Sequence, residues 1–286
     1  MNDTPFLAVR CRAPLTPPHR AGGLLLTPWH SRDLIAILTW REIAGRYRGS
    51  LLGSLWPVLT PVIMLALYTV VFGVILPSRW PSAQDEGMGG FALRLLSGML
   101  VHGLLAEVWN RAPTLVTANP NYVTKVVFPL EVLGWVNLLA ALFHVALAML
   151  VMLVINGVAG SGFGITQLAL PLLLLPLCLF LMGSSLALAG LGVYVRDVSQ
   201  VVGPMVIVLM FLGPVFYPRS AMPQALQPWL LLNPITVPIE QFRRALFQGL
   251  WPEWGLVAQY SLVAVVVYLA GVGVFTMLRK GFADVL

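Results

Sequence analysis

Charge is scarce in this chain. Lysine and arginine number 17 and aspartate and glutamate 11 among 286 residues, so charged residues make up 10% of the sequence and hydrophobic residues 58%. Soluble proteins run at roughly 25% and 45–50%, and that gap excludes a soluble domain. Only two of the basic residues are lysines, Lys125 after Thr124 and Lys280 after Arg279. A phosphate-binding P-loop needs G-x-x-x-x-G-K-[ST], and neither lysine sits in such a pattern. The chain therefore does not bind and hydrolyse ATP through that motif, and any ATP drive comes from another polypeptide. Histidine is also sparse: His19, His30, His102 and His144 are scattered without metal-ligand spacing. No G-x-S-x-G nucleophile elbow occurs. The two cysteines, Cys11 in a polar stretch and Cys178 inside an apolar run, form neither a disulfide framework nor a metal set. Enzymatic, metal and redox chemistry have no visible seat here.

What the chain does have is long uncharged runs. A bilayer core about 30 Å thick takes about 20 apolar helical residues per crossing. Thirty uncharged residues lie between Arg48 and Arg79, and no charged residue appears from Val132 to Val195, a run broken in its middle by Gly157, Gly160, Gly162 and Gly164. The expected fold is an all-α integral membrane protein with six transmembrane helices, over about 51–76, 95–114, 132–156, 167–193, 201–217 and 256–278. Residues 1–30, with five prolines among arginines and no signal-peptide core, read as a disordered cytoplasmic tail. Ser31 to Arg48 interleaves Leu34, Ile37, Leu38 and Trp40 with charged residues, the pattern of an interfacial amphipathic helix. Six spans put both termini on one side. That side carries 12 basic residues and the other 5, which favours cytoplasmic termini by the positive-inside rule and explains the basic balance without nucleic acid.

The segment 218–255 is too apolar for a solvent loop and too charged for a span, and short re-entrant helices fit it. Irregular backbone at membrane depth needs protein or a watery cavity beside it. Glu240 and Arg244, four apart, can pair along one face of a helix bracketed by Pro234 and Gly249. A surface helix lying on the outer leaflet is the alternative. His102, Glu107 and His144 are ionisable groups at membrane depth that need partners or water. Trp56, Tyr68 and Phe72 in the first span and Phe211, Phe216 and Tyr217 in the fifth offer flat faces suited to lining a sugar conduit. The same residues also suit an aromatic belt and core packing.

Several segments together resemble the membrane subunits of ABC-2 type exporters of polysaccharides such as O-antigen, capsule and teichoic acid. They are REIAGRYRGSLLGSLWPVLTPV at 41–62, NPNYVTKVVFPLEVL at 119–133, YVRDVSQVVGP at 194–204, GPVFYP at 213–218, LNPITVPIEQFRRALFQG at 232–249 and FADVL at 282–286. The first 30 residues have no counterpart in the resemblance. It implies a permease in the bacterial inner membrane that pairs with a second copy of itself and docks two P-loop ATPase subunits carrying ATP and Mg2+. The cargo it implies is a polyprenyl-pyrophosphate-linked glycan. On that analogy the ATPase contact falls on the 31–48 helix and the 110–130 segment, with Trp40, Arg41, Arg111, Asn119, Asn121 and Lys125 as candidates. Arg46 and Arg48, at the mouth of the first span, are candidates for the substrate pyrophosphate, because guanidinium donors match phosphate oxygens. Anchoring to lipid head groups is the plainer role for both. The alternative reading is an ABC-2 exporter of a small hydrophobic drug or lipid, and the sparse ionisable groups disfavour an ion-coupled carrier.

Overall fold

The structure, a computed structural model, describes residues 29–71, 75, 88–124, 128–159, 162–225 and 227–286. Residues 1–28 of the tail expected over 1–30, and two site candidates, Phe72 and Lys125, lie outside the described residues. Among the described residues there is no strand. The longer helices are α1 (Arg32–Tyr47), α2 (Trp56–Val70), α3 (Met88–Arg111), α4 (Glu131–Ala159), α5 (Leu170–Tyr194), α6 (Val198–Leu212), α7 (Thr236–Phe247) and α8 (Trp254–Arg279). This is an all-α membrane protein.

Four segments are long and apolar enough to cross a bilayer: Gly90–Thr114, Glu131–Val158, Ile165–Tyr194 and Trp254–Arg279. Over the described residues, the helices in the first and fifth expected spans are shorter. α2 and α6 have 15 residues each, about 22 Å of rise at 1.5 Å per residue, less than a full core of roughly 30 Å. Local sequence sets their limits. Gly49 and Gly53 hold φ of 81° and 48°, a region that favours glycine, so the chain turns there and α2 starts at Trp56 rather than 51. At the other limit Gly213 is extended (ψ 162°), because Pro214 disfavours helical backbone in the residue before it. The five residues expected to finish the span turn back instead, and the Tyr217 hydroxyl donates to the Phe211 carbonyl at 2.7 Å.

The helices are arranged around α3. It is the least apolar of the four long segments and the most enclosed, with 72% of its apolar window buried against 28% for α8. Its Arg94, Ser97 and His102 therefore face protein, where a polar group finds partners that lipid cannot offer; His102 Nε2 is 3.1 Å from the Val206 carbonyl of α6. α5 and α8 make the closest approach. A Cβ on Gly271 would stand 1.9 Å from the Gly183 carbonyl oxygen, so these backbones touch through glycines, as small residues allow between membrane helices.

Specific bonds define two ends. At one, the close of α3 meets the start of α4 (Asn137 Nδ2 to the Val108 carbonyl, 3.0 Å). There Glu131 of α4 pairs with Arg279 of α8 at 2.5 Å, and the Tyr194 hydroxyl of α5 donates to the Leu278 carbonyl at 2.7 Å. α1 lies at this end, burying Ile35 and Leu38 on Val132 and Val136 of α4. Its Trp40 is 69% exposed. At the other end, α7 buries eight side chains against α3, α5 and α8, so it is a packed helix and not one lying loose on a surface.

Candidate functional site

The α1 end gathers charge by a simple register. Glu42 and Arg46 are four apart on α1, and Glu107 and Arg111 are four apart on α3, so each helix presents one acid and one base on one face. The helices run antiparallel there, which matches Arg46 to Glu107 at 2.5 Å and Arg111 to Glu42. Arg46 Nε is also 3.9 Å from Glu42. His144 of α4 closes the group, its Nδ1 3.0 Å from Glu107 Oε1 and 3.2 Å from Arg46 Nη1. Side-chain exposures of 21–38% across the two Arg–Glu pairs leave them partly wet, and each is worth on the order of 1 kcal/mol.

Next to this cluster, Arg41 donates to the Tyr122 hydroxyl at 3.2 Å, joining α1 to a one-turn helix at Asn121–Thr124. Asn119 donates to the Leu115 carbonyl at 3.0 Å. Arg41, Arg111 and Asn119 all line one cavity of about 130 Å³. Three expected ATPase-contact residues thus share a site, with Trp40 and Asn121 exposed near it. Arg48 is exposed beyond the end of α1, and no hydrogen bond or ion pair joins it to the described residues. Arg46 differs, because its guanidinium is already engaged by Glu107.

The far end is built on one arginine. Arg243 of α7 is 5% exposed and donates to the carbonyls of Arg94 (2.9 Å), Pro214 (2.5 Å) and Val215 (2.7 Å), with its Nε 3.4 Å from Ser97 Oγ. It fastens α7 to α3 and to the turn that ends α6. Arg94 lies over the Phe247 ring at 5.0 Å. Arg243 went unrecognised as a site residue, although the signal was present: Ile239, Phe242, Arg243 and Leu246 fall at i, i+3, i+4 and i+7, which puts the arginine on the apolar stripe.

The expected Glu240–Arg244 pair is corrected. Arg244 turns past the end of its helix to Glu253 at 2.6 Å and to the Trp251 carbonyl at 3.0 Å, because Gly249, at φ 63°, folds the chain back over it. Burial pushes the Glu240 carboxyl up from its ordinary range, while Arg219 and Arg243 oppose the shift. The aromatic candidates divide. Phe211 stacks on Phe216 with centroids 5.5 Å apart, and Tyr217 joins them through its bond to Phe211. Trp56 sits at the start of α2, its Nε1 donating to Ser50 Oγ at 2.9 Å. Tyr68 is half-buried twelve residues on, about 18 Å along the helix.

The profile of the ABC-2 type transporter family matches residues 33–247, from α1 to the last residue of α7. The chain belongs to the ABC-2 type transporter family. Among its relatives in that family is the O-antigen export system permease protein RfbA of Myxococcus xanthus, 26% identical over 255 residues that cover 88% of this chain and 95% of that one. The polysialic acid transport protein KpsM of Escherichia coli is 27% identical over 243 residues, covering 82% and 91%. The capsule polysaccharide export inner-membrane protein CtrC of Neisseria meningitidis is 23% identical over 272 residues, covering 87% and 92%. The family match takes in both ends of α3 and every residue of the charge cluster.

Proposed function

We propose that this chain is the membrane-spanning subunit of an ATP-driven ABC-2 exporter that moves a polyprenyl-pyrophosphate-linked polysaccharide, of O-antigen or capsule type, across the bacterial inner membrane. The observation that carries the reading is coverage: relatives named for O-antigen export, polysialic acid transport and capsule polysaccharide export align over 91–95% of their own lengths. The chain supplies the membrane part and lacks a P-loop, so ATP and Mg2+ belong to a separate ATPase. α1 and the 110–130 segment, with Trp40, Arg41, Arg111, Asn119, Asn121 and Lys125, form its docking face on the cytoplasmic side.

A second copy completes the conduit. Among the described residues α3 is largely enclosed by packed side chains, whereas two copies about a two-fold axis enclose space between them. α2 and α6, which lie against α3 and expose much of their surfaces, would face that space. Trp56, Tyr68 and Phe72 would then line it with Phe211, Phe216 and Tyr217, their flat faces covering sugar C–H surfaces. Arg48, and Arg46 if it exchanges Glu107 for phosphate, would meet the pyrophosphate. Deleting the chain in its native host tests the reading. The expected result is lipid-linked glycan accumulating on the cytoplasmic face, with surface glycan restored by a plasmid copy. Undiminished surface glycan in the deletion strain would overturn it.

A further inference from the structure

His144 of α4 sits beside the acid and the base that pair across α1 and α3. Its Nδ1 lies 3.0 and 3.3 Å from the two oxygens of Glu107 and 3.2 Å from Arg46 Nη1. These neighbours make opposite demands on one nitrogen. A guanidinium only donates, so a bond from Arg46 needs the lone pair of Nδ1, whereas a carboxylate only accepts, so a bond to Glu107 needs a proton there. The ring serves one of them at a time. While Arg46 is in place it donates to Glu107 at 2.5 Å, and the carboxylate has its counter-charge without the imidazole.

Arg46 is also the member of the group with a way out. It stands in the last turn of α1, its side chain keeps 29% of its surface, and the chain turns at Gly49 just beyond it. Its departure leaves Glu107, with a side chain only 21% exposed, short of a cation. Arg111 of α3, the other cation of the cluster, is held by Glu42 of α1, and His102 of α3 turns to α6. Tyr47 of α1 meets the His144 ring edge-on at 6.0 Å. α2 and α5, also packed on α4, carry no charged residue and bring only Tyr68, Cys178 and Tyr194 as titratable groups. The imidazole, within 3.3 Å of both carboxylate oxygens, is the group in place to take over.

We propose that His144 is a positioning residue for export: when Arg46 leaves Glu107 for the pyrophosphate of the cargo, His144 takes a proton from water on Nδ1 and replaces the guanidinium on Glu107. Histidine suits the task because its charge changes near neutrality. The exchange keeps α1's partners on α3 and α4 joined and the local charge constant while the arginine is away, and it makes cargo binding take up a proton. It rests on the pyrophosphate role of Arg46 given above.

Two measurements on the full chain in neutral detergent test it. The first follows melting of Arg46→Gln from about pH 6 to about pH 8.5, across the histidine range. Its deficit against wild type is expected to be about 2–4 °C at the alkaline limit and to fall by half or more at the acid one, because the protonated ring then stands in for the missing guanidinium. Arg46→Gln/His144→Gln is expected to keep the full deficit at both limits. A histidine that only packs would give parallel curves. The second titrates wild type and His144→Gln with undecaprenyl pyrophosphate by calorimetry in buffers of different ionisation enthalpy, which counts protons taken up. Wild type is expected to take up as much as about one proton more per molecule bound than the variant. An equal count in both proteins, or a pH-independent deficit in Arg46→Gln, would overturn the exchange and leave the pyrophosphate role of Arg46 standing. No binding by either protein would overturn that role, and the proposal with it.

Discussion

At one end of α3, Glu107 and Arg111 meet Arg46 and Glu42 in ion pairs whose side chains keep 21–38% of their surface. Thirteen residues earlier, about 20 Å along the helix, the Arg94 carbonyl receives a guanidinium from Arg243, which is 5% exposed. The same residue type thus works in two physical regimes. Partly wet ion pairs are screened by salt and contribute modestly, so the α1 end can exchange partners at low cost. That suits a face on which an ATPase is proposed to pull. A buried guanidinium shared among carbonyls is different, because removing it strands acceptors away from water. That end holds α7 and the close of α6 in fixed relation to α3.

The contrast is broken most severely at Arg243. Arg243→Ala leaves the carbonyls of Pro214 and Val215 without this donor, at roughly 1–3 kcal/mol each, while the Arg94 carbonyl keeps the Ser97 hydroxyl at 2.7 Å. Little monodisperse protein is expected by size-exclusion chromatography after membrane extraction. Arg243→Lys is expected to recover only part of it, since a single ammonium cannot reach acceptors spread around a planar fork. Gly98→Ala is next. Its Cβ would stand 2.6 Å from Arg243 Nη2 and 3.2 Å from Val215 Cα, and the crowding is expected to cost about 1–3 kcal/mol, read as a fall in Tm with the fold retained.

At the wet end the expected effects are smaller and depend on salt. Glu107→Gln and Arg46→Gln should each cost about 1 kcal/mol, and the double variant less than the sum, because both remove one pair. Raising ionic strength should shrink these losses and leave those at Arg243 and Gly98 unchanged; equal salt dependence at both ends would erase the distinction. Arg48 is the smallest case for stability, within about 0.5 kcal/mol. For export it is the more informative arginine, because Arg46→Ala also removes the guanidinium from Glu107 and leaves it only His144. If Arg48 grips pyrophosphate through its fork, Arg48→Lys lowers surface glycan per inserted molecule, and full export by that variant removes the fork from the mechanism.

Much of this was legible in composition and spacing. Composition and the long uncharged runs pointed to an all-α membrane protein with several long apolar helices. Their lengths were less legible, since α6 stops at a Gly-Pro step and α2 starts after two left-handed glycines, local backbone effects that a hydropathy run does not register. The ion-pair cluster was present as two i, i+4 acid–base pairs, in REIAGR at 41–46 and EVWNR at 107–111, but nothing in one sequence says which two helices meet. Arg244 was read by spacing within its helix, whereas a partner nine residues on, brought back by a glycine turn, was within reach.

The most direct measurement of the central claim is glycan movement in inverted inner-membrane vesicles from the deletion host, loaded with its own lipid-linked polysaccharide and supplied with this chain, its ATPase, or both. Transfer into the lumen is expected only when both proteins and hydrolysable ATP are present. Transfer by this chain without the ATPase, or none with both proteins while a small hydrophobic compound is pumped, would contradict it.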